Sequence, residues 1–418
     1  MSNALDHELS MMKKVLVIAY HYPPLGGGGV FRTLKFTKYL PQFGFKPYVL
    51  TVKNAMYHIR DPSLLEDIHP EVRVIRTFSW EHKLFAMPFY RLRTTPKWIF
   101  IPEINIGWLP FAVYRGKKLI EEEGIDIIYA TAPVYTSLLI GYLIKRKTGK
   151  PLVIDFRDPW TDNPFAKYPT KLHERIEKKM EEKIVTSADY VIVVDDPMKN
   201  SFIKKYPLTK SKIEVITNGF DPGDFKNLKI YKQTNKFRIT YTGSLYGMHT
   251  ANSFLIALKK LTEEKAHLRE ELEVMFIGNY GRETALLVKK FGLEDVIKLV
   301  RYMSHSECIE VMLNSDTLLL LITEDWALTG KLFEYLASRR PILAIAPEKG
   351  VAANIIRSIE AGMVVPPDNI ELIKEAIFNF YEMWKQGKLV TTTGDITKYD
   401  RVFLTQRLAK IFDLVLNT

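Results

Sequence analysis

The segment Thr323–Ile345, TEDWALTGKLFEYLASRRPILAI, places a lysine and a glutamate just after a glycine that opens a run with helical spacing. Lys331 is mismatched to a helix taken alone, because a cation in the first turn opposes the macrodipole at a cost of about 0.3–1 kcal/mol. An anion at the same point reverses that sign, since ammonium and helix N-terminus both attract it. Glu334 shares a helix face with Lys331, so its carboxylate can accept hydrogen bonds from ligand hydroxyls; the alternative is an exposed Lys–Glu pair worth about a few tenths of a kcal/mol. A second group, DFRDPWTDNP at Asp155–Pro164, follows an apolar run, which gathers Asp155, Arg157, Asp158 and Trp160 beyond one strand end. A third follows Val15–Ala19: two prolines and then Gly26–Gly29. Consecutive glycines there either let backbone approach an anion or a sugar while the next helix offers its positive end, or simply make a flexible connection.

These loops exclude several chemistries. The glycine run is not Gly-x-Gly-x-x-Gly, no Gly-Lys-Ser/Thr follows it, and the next strand ends in VLTVKN without an acid to hold a ribose, which argues against a dehydrogenase and an ATPase. Val193–Pro197, VVDDP, is not an Asp-x-Asp metal motif, and Asp195 and Asp196 read as loop residues. Cys308 is the single cysteine, which excludes an internal disulfide framework and a thiolate-rich zinc site and fits a reducing, cytosolic compartment. No cofactor and no metal are expected.

Loops of this kind need strands to hold them. Val15–Ala19, Pro47–Val52, Arg73–Arg76, Asp126–Ala130, Leu152–Asp155, Tyr190–Val194 and Ile213–Ile216 are short β-branched runs separated by segments of helical spacing. The rhythm restarts at Arg238–Thr242, Glu273–Ile277, Ile297–Leu299, Thr317–Ile322, Ile342–Ile345 and Met363–Val365. The expectation is an α/β chain of two Rossmann-like halves with parallel sheets. A weak internal echo, EEKIVTSADYVIVV against CIEVMLNSDTLLLLI, supports the duplication. The expected divisions are a tail or cloning remnant over 1–11, a first domain over 12–220, a second over 221–395, and a terminal amphipathic segment over 396–418 that returns to the first. The acidic opening has no apolar core and does not read as a secretory signal. The uncharged run Ile127–Ile144 is broken by Pro133 and several hydroxyl side chains, so no membrane span is predicted.

The order and spacing of these segments resemble the retaining family-four glycosyltransferases of the GT-B fold, especially bacterial members that build surface polysaccharides. The resemblance spans nearly the whole chain and rests on the glycine loop, PLVIDFRDPW (151–160), SADYVIVV (187–194), VITNGFD (215–221), TGSLYG (242–247), FIGNYG (276–281) and TGKLFEYLASRRPILAI (329–345). It implies two Rossmann-like domains facing across a cleft, the first binding a glycan or lipid-linked acceptor and the second a nucleotide-sugar donor. It places Gly27 and Gly28 near the donor phosphates, Gly26, Asp155 and Trp160 with the acceptor, and Gly243, Ser244, Gly278, Lys331 and Glu334 around the donor, with the base read near Arg301–Met303, Tyr302 among them. Arg157 and Asp158 stand where many relatives carry a histidine; Arg157 suits a departing phosphate and Asp158 an acceptor hydroxyl, unless the pair only locks its loop. The reaction implied is front-face transfer with retention, without a pair of catalytic carboxylates and without a metal.

The chain departs from the family pattern in two places. Trp326 stands where an additional glutamate is common, and the basic pair expected after Gly243 is missing, leaving His249 and Arg282 as substitutes. An epimerase of the same architecture, or an inactive donor-binding homologue, is the alternative reading. The net charge of +11 points to anionic partners, but no RNA-binding aromatic motif or zinc module supports nucleic acid. Arg73–Lys118 holds nine Lys/Arg against two Glu with interleaved aromatic rings. That segment is either a peripheral surface for anionic headgroups on the inner face of a membrane or aromatic core.

Overall fold

In the computed structural model, which describes residues 12–55, 59–81, 96–164, 166–226, 228, 230, 234–245, 250–390 and 392–418, the apolar runs form two sheets. The first holds β1 (Lys13–Ile18), β2 (Phe45–Val52), β3 (Arg73–Thr77), β4 (Ile127–Thr131), β5 (Leu152–Phe156), β6 (Tyr190–Val193) and β7 (Ile213–Val215), in the order β3-β2-β1-β4-β5-β6-β7. The second holds β8 (Phe237–Thr242), β9 (Leu272–Ile277), β10 (Ile297–Val300), β11 (Thr317–Leu321), β12 (Ile342–Ile345) and β13 (Gly362–Val365), in the order β10-β9-β8-β11-β12-β13. Neighbouring strands are parallel throughout both sheets. Each strand lies within two residues of its expected ends.

Helices cover both faces. Around the first sheet run α1 (Gly28–Tyr39), α2 (Leu109–Glu123), α3 (Tyr135–Thr148), α4 (Lys171–Ser187) and α5 (Asp196–Lys205). Around the second run α6 (Asn252–Glu264), α7 (Leu268–Glu271), α8 (Gly281–Lys290), α9 (His305–Leu313), α10 (Gly330–Ser338), α11 (Val351–Ser358) and α12 (Ile370–Lys385); α13 (Arg401–Leu416) ends the chain. Alternate residues of one strand enter different cores: Val15 and Val17 pack with Leu34 of α1 and Leu408 of α13, whereas Leu16 and Ile18 pack with Ala112 of α2 and Leu138 of α3. In the second sheet Leu319 and Leu321 join Leu255 and Ile377, while Leu318 and Leu320 join Leu332 and Ile356. Strands covered on both faces must be apolar at every position, which is why these runs do not alternate with polar residues.

The internal echo has a physical cause. Asp126, Asp189 and Asp316 each stand one residue before a strand, and each carboxylate accepts from a backbone N–H at the start of the neighbouring strand: Lys14 at 2.7 Å, Leu152 at 2.6 Å and Arg238 at 2.8 Å. The same solution to an otherwise unpaired donor occurs in both sheets.

The chain divides into a unit that runs to Thr217 and takes back Arg401–Thr418, and a unit of Asn218–Asp400. The divisions differ slightly from those expected at 220 and 396. Phe220 donates its N–H to the carbonyl of Tyr399 at 3.0 Å and bridges to Asp400, so the two ends of the second unit close on each other. Within the first unit α13 packs Phe412 edge-on to Phe45 at 5.3 Å and pairs Asp413 with Lys13 at 2.6 Å.

One buried ion pair ties the first unit together. Arg32 of α1 donates from Nε and Nη2 to the two oxygens of Asp155 at 2.9 and 2.8 Å, and from Nη1 and Nη2 to the carbonyls of Thr217 and Ile216 at 2.7 and 2.9 Å. Both side chains are essentially inaccessible, at 1% and 0%. Replacing Asp155 by alanine leaves the guanidinium buried and uncompensated, so Asp155→Ala should cost about 3–5 kcal/mol in urea unfolding; a loss under about 1 kcal/mol would show that the pair does not hold this unit.

Candidate functional site

In the second unit, the ends of β8 and β9 each pass into a glycine with positive φ, Gly243 at 114° and Gly278 at 115°. Both continue the sheet bonding one residue further, Gly243 N–H to Ile277 and Gly278 N–H to Val300. A Cβ on Gly278 would lie 2.5 Å from the rigid Gly243 carbonyl oxygen, and one on Gly243 would lie 2.9 Å from Nζ of Lys331, which would have to move. Glycine is therefore required there for close approach as well as for φ.

Lys331 lies in the first turn of α10, whose N-cap Thr329 makes no side-chain cap and whose first turn holds no acid. Its ammonium donates to Oη of Tyr241 at 2.7 Å and lies 4.1 Å from the centroid of that ring. The phenol passes the bond on, donating to the carbonyl of Ser244 at 3.0 Å. Burial pulls the lysine pKa down to about 7 against the opposing charge of Glu334. Glu334, one turn on, accepts at Oε1 from Nε2 of His305 at 2.9 Å. Gly243, Ser244, Gly278, Lys331 and Glu334 thus gather at the carboxyl end of the second sheet. Arg282 is exposed on α8, Tyr302 is 48% exposed after β10, and His249 lies outside the described residues. His305 was not foreseen from the sequence.

In the first unit the glycine loop is held firmly. Gly26 is buried and donates its N–H to the carbonyl of Ile59 at 3.0 Å, Gly27 takes φ 82° at the start of α1, and Gly28 is exposed with open space where a Cβ would stand. Arg157 donates from Nη1 to the carbonyl of Gly29 at 2.5 Å and from Nε to that of Ala132, so it fastens the loops after β1 and β4 to its own. Asp158 is exposed beside it. His21 is a second residue missed from the sequence: its ring fills the space beside Gly29, where a Cβ would meet Nδ1 at 2.9 Å, and burial with the charge of Arg157 lowers its pKa to about 3.

Two expectations for this unit are corrected. Asp155 does not face a ligand; besides Arg32 it accepts from Tyr129 at 2.8 Å and Thr131 at 2.9 Å. Burial would raise its pKa, but Arg32 and these bonds hold it below the ordinary carboxylate value. Trp160 is also core, 2% exposed, stacked 4.8 Å from Tyr135 and donating to Glu177 at 2.9 Å. Gly26 is buried, and its N–H is already given to the carbonyl of Ile59.

Two parallel sheets covered by helices, each with its loops at the carboxyl edge, are the architecture of the GT-B fold. The chain belongs to the family-four GT-B glycosyltransferases: residues 26–224 match the family described as Glycosyltransferase Family 4, and residues 224–391 match Glycosyl transferases group 1. An uncharacterized glycosyltransferase of Methanocaldococcus jannaschii is 20% identical over 390 residues, covering 89% of this chain and 90% of its own. Among solved structures, sucrose-phosphate synthase from Thermosynechococcus elongatus superposes with a TM-score of 0.69 at 15% identity, covering 97% and 99% of the two chains. HepE from Anabaena, solved in complex with UDP and glucose, gives 0.65 at 16% identity over 96% and 100%.

The depressed pKa of Lys331 has a measurable consequence. Folded, the ammonium loses its proton near pH 7; unfolded, it keeps it to the ordinary value of 10.5. Between those values the unfolded chain binds a proton that the folded chain does not, so this residue makes stability rise with pH across that window and costs most below it. Lys331→Met should lose that rise, seen as a urea midpoint that gains less than wild type between pH 7 and pH 9.5. Parallel pH profiles for the two proteins would refute the burial of the charge.

Proposed function

We propose that the protein moves a sugar from a nucleoside-diphosphate donor to a glycan or lipid-linked acceptor, with retention, in the building of a surface polysaccharide. The observation that carries the donor is Lys331: a partly buried ammonium, bonded to a phenol rather than a carboxylate, at an uncapped helix N-terminus and against Gly243. A diphosphate supplies the anion that this arrangement favours. HepE, of the same fold, binds UDP, which supports a nucleoside diphosphate as the leaving group. Glu334 accepts from the ribose hydroxyls.

The acceptor binds at the first unit. Arg157 holds two carbonyls and keeps donors for an anion, since a guanidinium carries five N–H groups. Asp158 orients the acceptor hydroxyl, and the leaving phosphate takes its proton. Lysine and helix N-terminus neutralise the diphosphate, so no divalent metal is needed.

The direct test incubates the protein with nucleotide sugars and a panel of glycan and lipid-linked acceptors, with and without a chelator. Sugar should appear on the acceptor at the same rate in both arms; activity lost to chelator and restored by magnesium would refute the metal-free part, and epimerised donor without acceptor product would refute transfer. Lys331→Ala should weaken nucleoside-diphosphate binding by roughly tenfold to a hundredfold, the worth of a charge-assisted contact. Unchanged affinity would put the donor elsewhere.

A peripheral membrane surface on Arg73–Lys118 is proposed on its rings alone. Phe78, Trp80, Trp98 and Tyr114 are exposed, at 47%, 65%, 50% and 70%. Its described cations are largely paired, Arg73 with Glu123, Lys97 with Glu177, Arg115 with Glu122 and Lys117 with Glu121. Residues 82–95 lie outside the described residues. No described helix is long and apolar enough to cross a membrane. Sedimentation with liposomes should therefore show binding that depends weakly on anionic lipid; no binding to either neutral or anionic vesicles would leave the rings as packing surface.

A further inference from the structure

We propose that His305 is a positioning residue for the donor ribose, acting through Glu334; this rests on the donor site argued above. The start of α9 is fixed by its own sequence. Ser304 and Glu307 form a capping box, in which the Ser304 side chain accepts from the Glu307 N–H and the Glu307 carboxylate accepts from the Ser304 N–H at 2.9 Å. A helix whose first turn is pinned in this way holds its first residue in one place. That residue is His305, and its ring reaches across to the next helix, with Nε2 2.9 Å from Oε1 of Glu334.

The direction of the bond follows from chemistry. An ionised carboxylate only accepts, so Nε2 carries the hydrogen and donates. On the other side of the ring, Nδ1 lies 3.8 Å from Oδ2 of Asp224. All three side chains are mostly shielded, at 13% for His305, 21% for Glu334 and 17% for Asp224. A glutamate on a helix surface otherwise samples several rotamers, and ordering it on ligand binding costs free energy. A bond at Oε1 settles the carboxylate before the ligand arrives, and a carboxylate has about four lone-pair sites, which leaves acceptor capacity for a vicinal diol. His305 touches no ligand in this scheme.

The test measures binding calorimetrically with whichever of UDP, GDP and ADP the wild-type protein binds best, and with its 2′,3′-dideoxy counterpart. His305→Leu should weaken the full nucleotide about fivefold to tenfold, the worth of one hydrogen bond, and the dideoxy compound less than about twofold. His305→Gln, which keeps a donor near the Nε2 position, should restore most of the affinity. In a Glu334→Ala background, His305→Leu should add nothing. Equal losses for the two ligands, or an additive loss in the Glu334→Ala background, would overturn the proposal and leave His305 as a packing residue. A wild-type protein that does not distinguish the two ligands, or binds no nucleotide, would instead overturn the donor site itself. Should His305→Leu not fold, His305→Asn removes the reach to Glu334 while keeping a polar side chain, and the same outcomes apply.

Discussion

A parallel sheet covered on both faces places a hard constraint on every polar group near it. Its strands cannot turn back on themselves, so most are followed by a helix, and the strand-to-helix loops emerge at one edge. Inside the sheet no water reaches the backbone, and each donor at a strand start needs a partner from the protein. The aspartates Asp126, Asp189 and Asp316 meet that need at the amino edge. The carboxyl edge is left for loops whose backbone and side chains can serve something other than the fold. Gly27, Arg157 and Lys331 lie on such loops or in the first turn after them.

Two cations, each near the carboxyl ends of its own sheet, show how differently charge is treated there. Arg32 is wholly buried and surrounded by acceptors, two carboxylate oxygens and two carbonyls, so its charge is fully used within the first unit. Breaking such a pair is costly because the survivor stays charged in a poorly solvating interior. Lys331 is also short of water, but its bonding partner is a phenol, and its pKa falls accordingly. The first arrangement stabilises the fold and has little left to give a ligand. The second leaves an ammonium bonded to a neutral partner, which is the reason an anion is proposed there, and perturbed ionisation of this kind clusters at functional positions.

Much of this was legible in the sequence, for reasons tied to particular residues. The strands could be found because doubly covered strands are unbroken apolar runs of a length that helices do not share. Lys331 and Glu334 stand out as candidates because a lysine just after Gly330 contradicts its own helix. Asp155 was misread because alternation is absent from a strand buried on both faces, so nothing in DFRD says which way a carboxylate points; its partner Arg32 is 123 residues away. Trp160 was misread for the same reason, its partner Glu177 lying on a helix whose face could not be registered against the loop. His305 carried a usable signal, the Ser-x-x-Glu that fixes the start of its helix, but the reach to Glu334 depends on how α9 and α10 pack.

The glycines of the second unit can be ordered by what each one makes room for. Gly278 has no space for a side chain because the carbonyl of Gly243 lies against it. Gly243 has none because the end of Lys331 lies against it. The two loops are thus in contact through backbone, and the ammonium rests on the second of them. A methyl group at either position would have to displace rigid backbone or the end of the lysine, and the lysine, being flexible, would yield more easily. The glycine after β9 therefore lets the loop after β8 run close against it, and the glycine of that loop leaves room for the end of Lys331. The room that Lys331 occupies beside Gly243 depends on a residue with no side chain, and a search for charged or nucleophilic groups alone would pass over it.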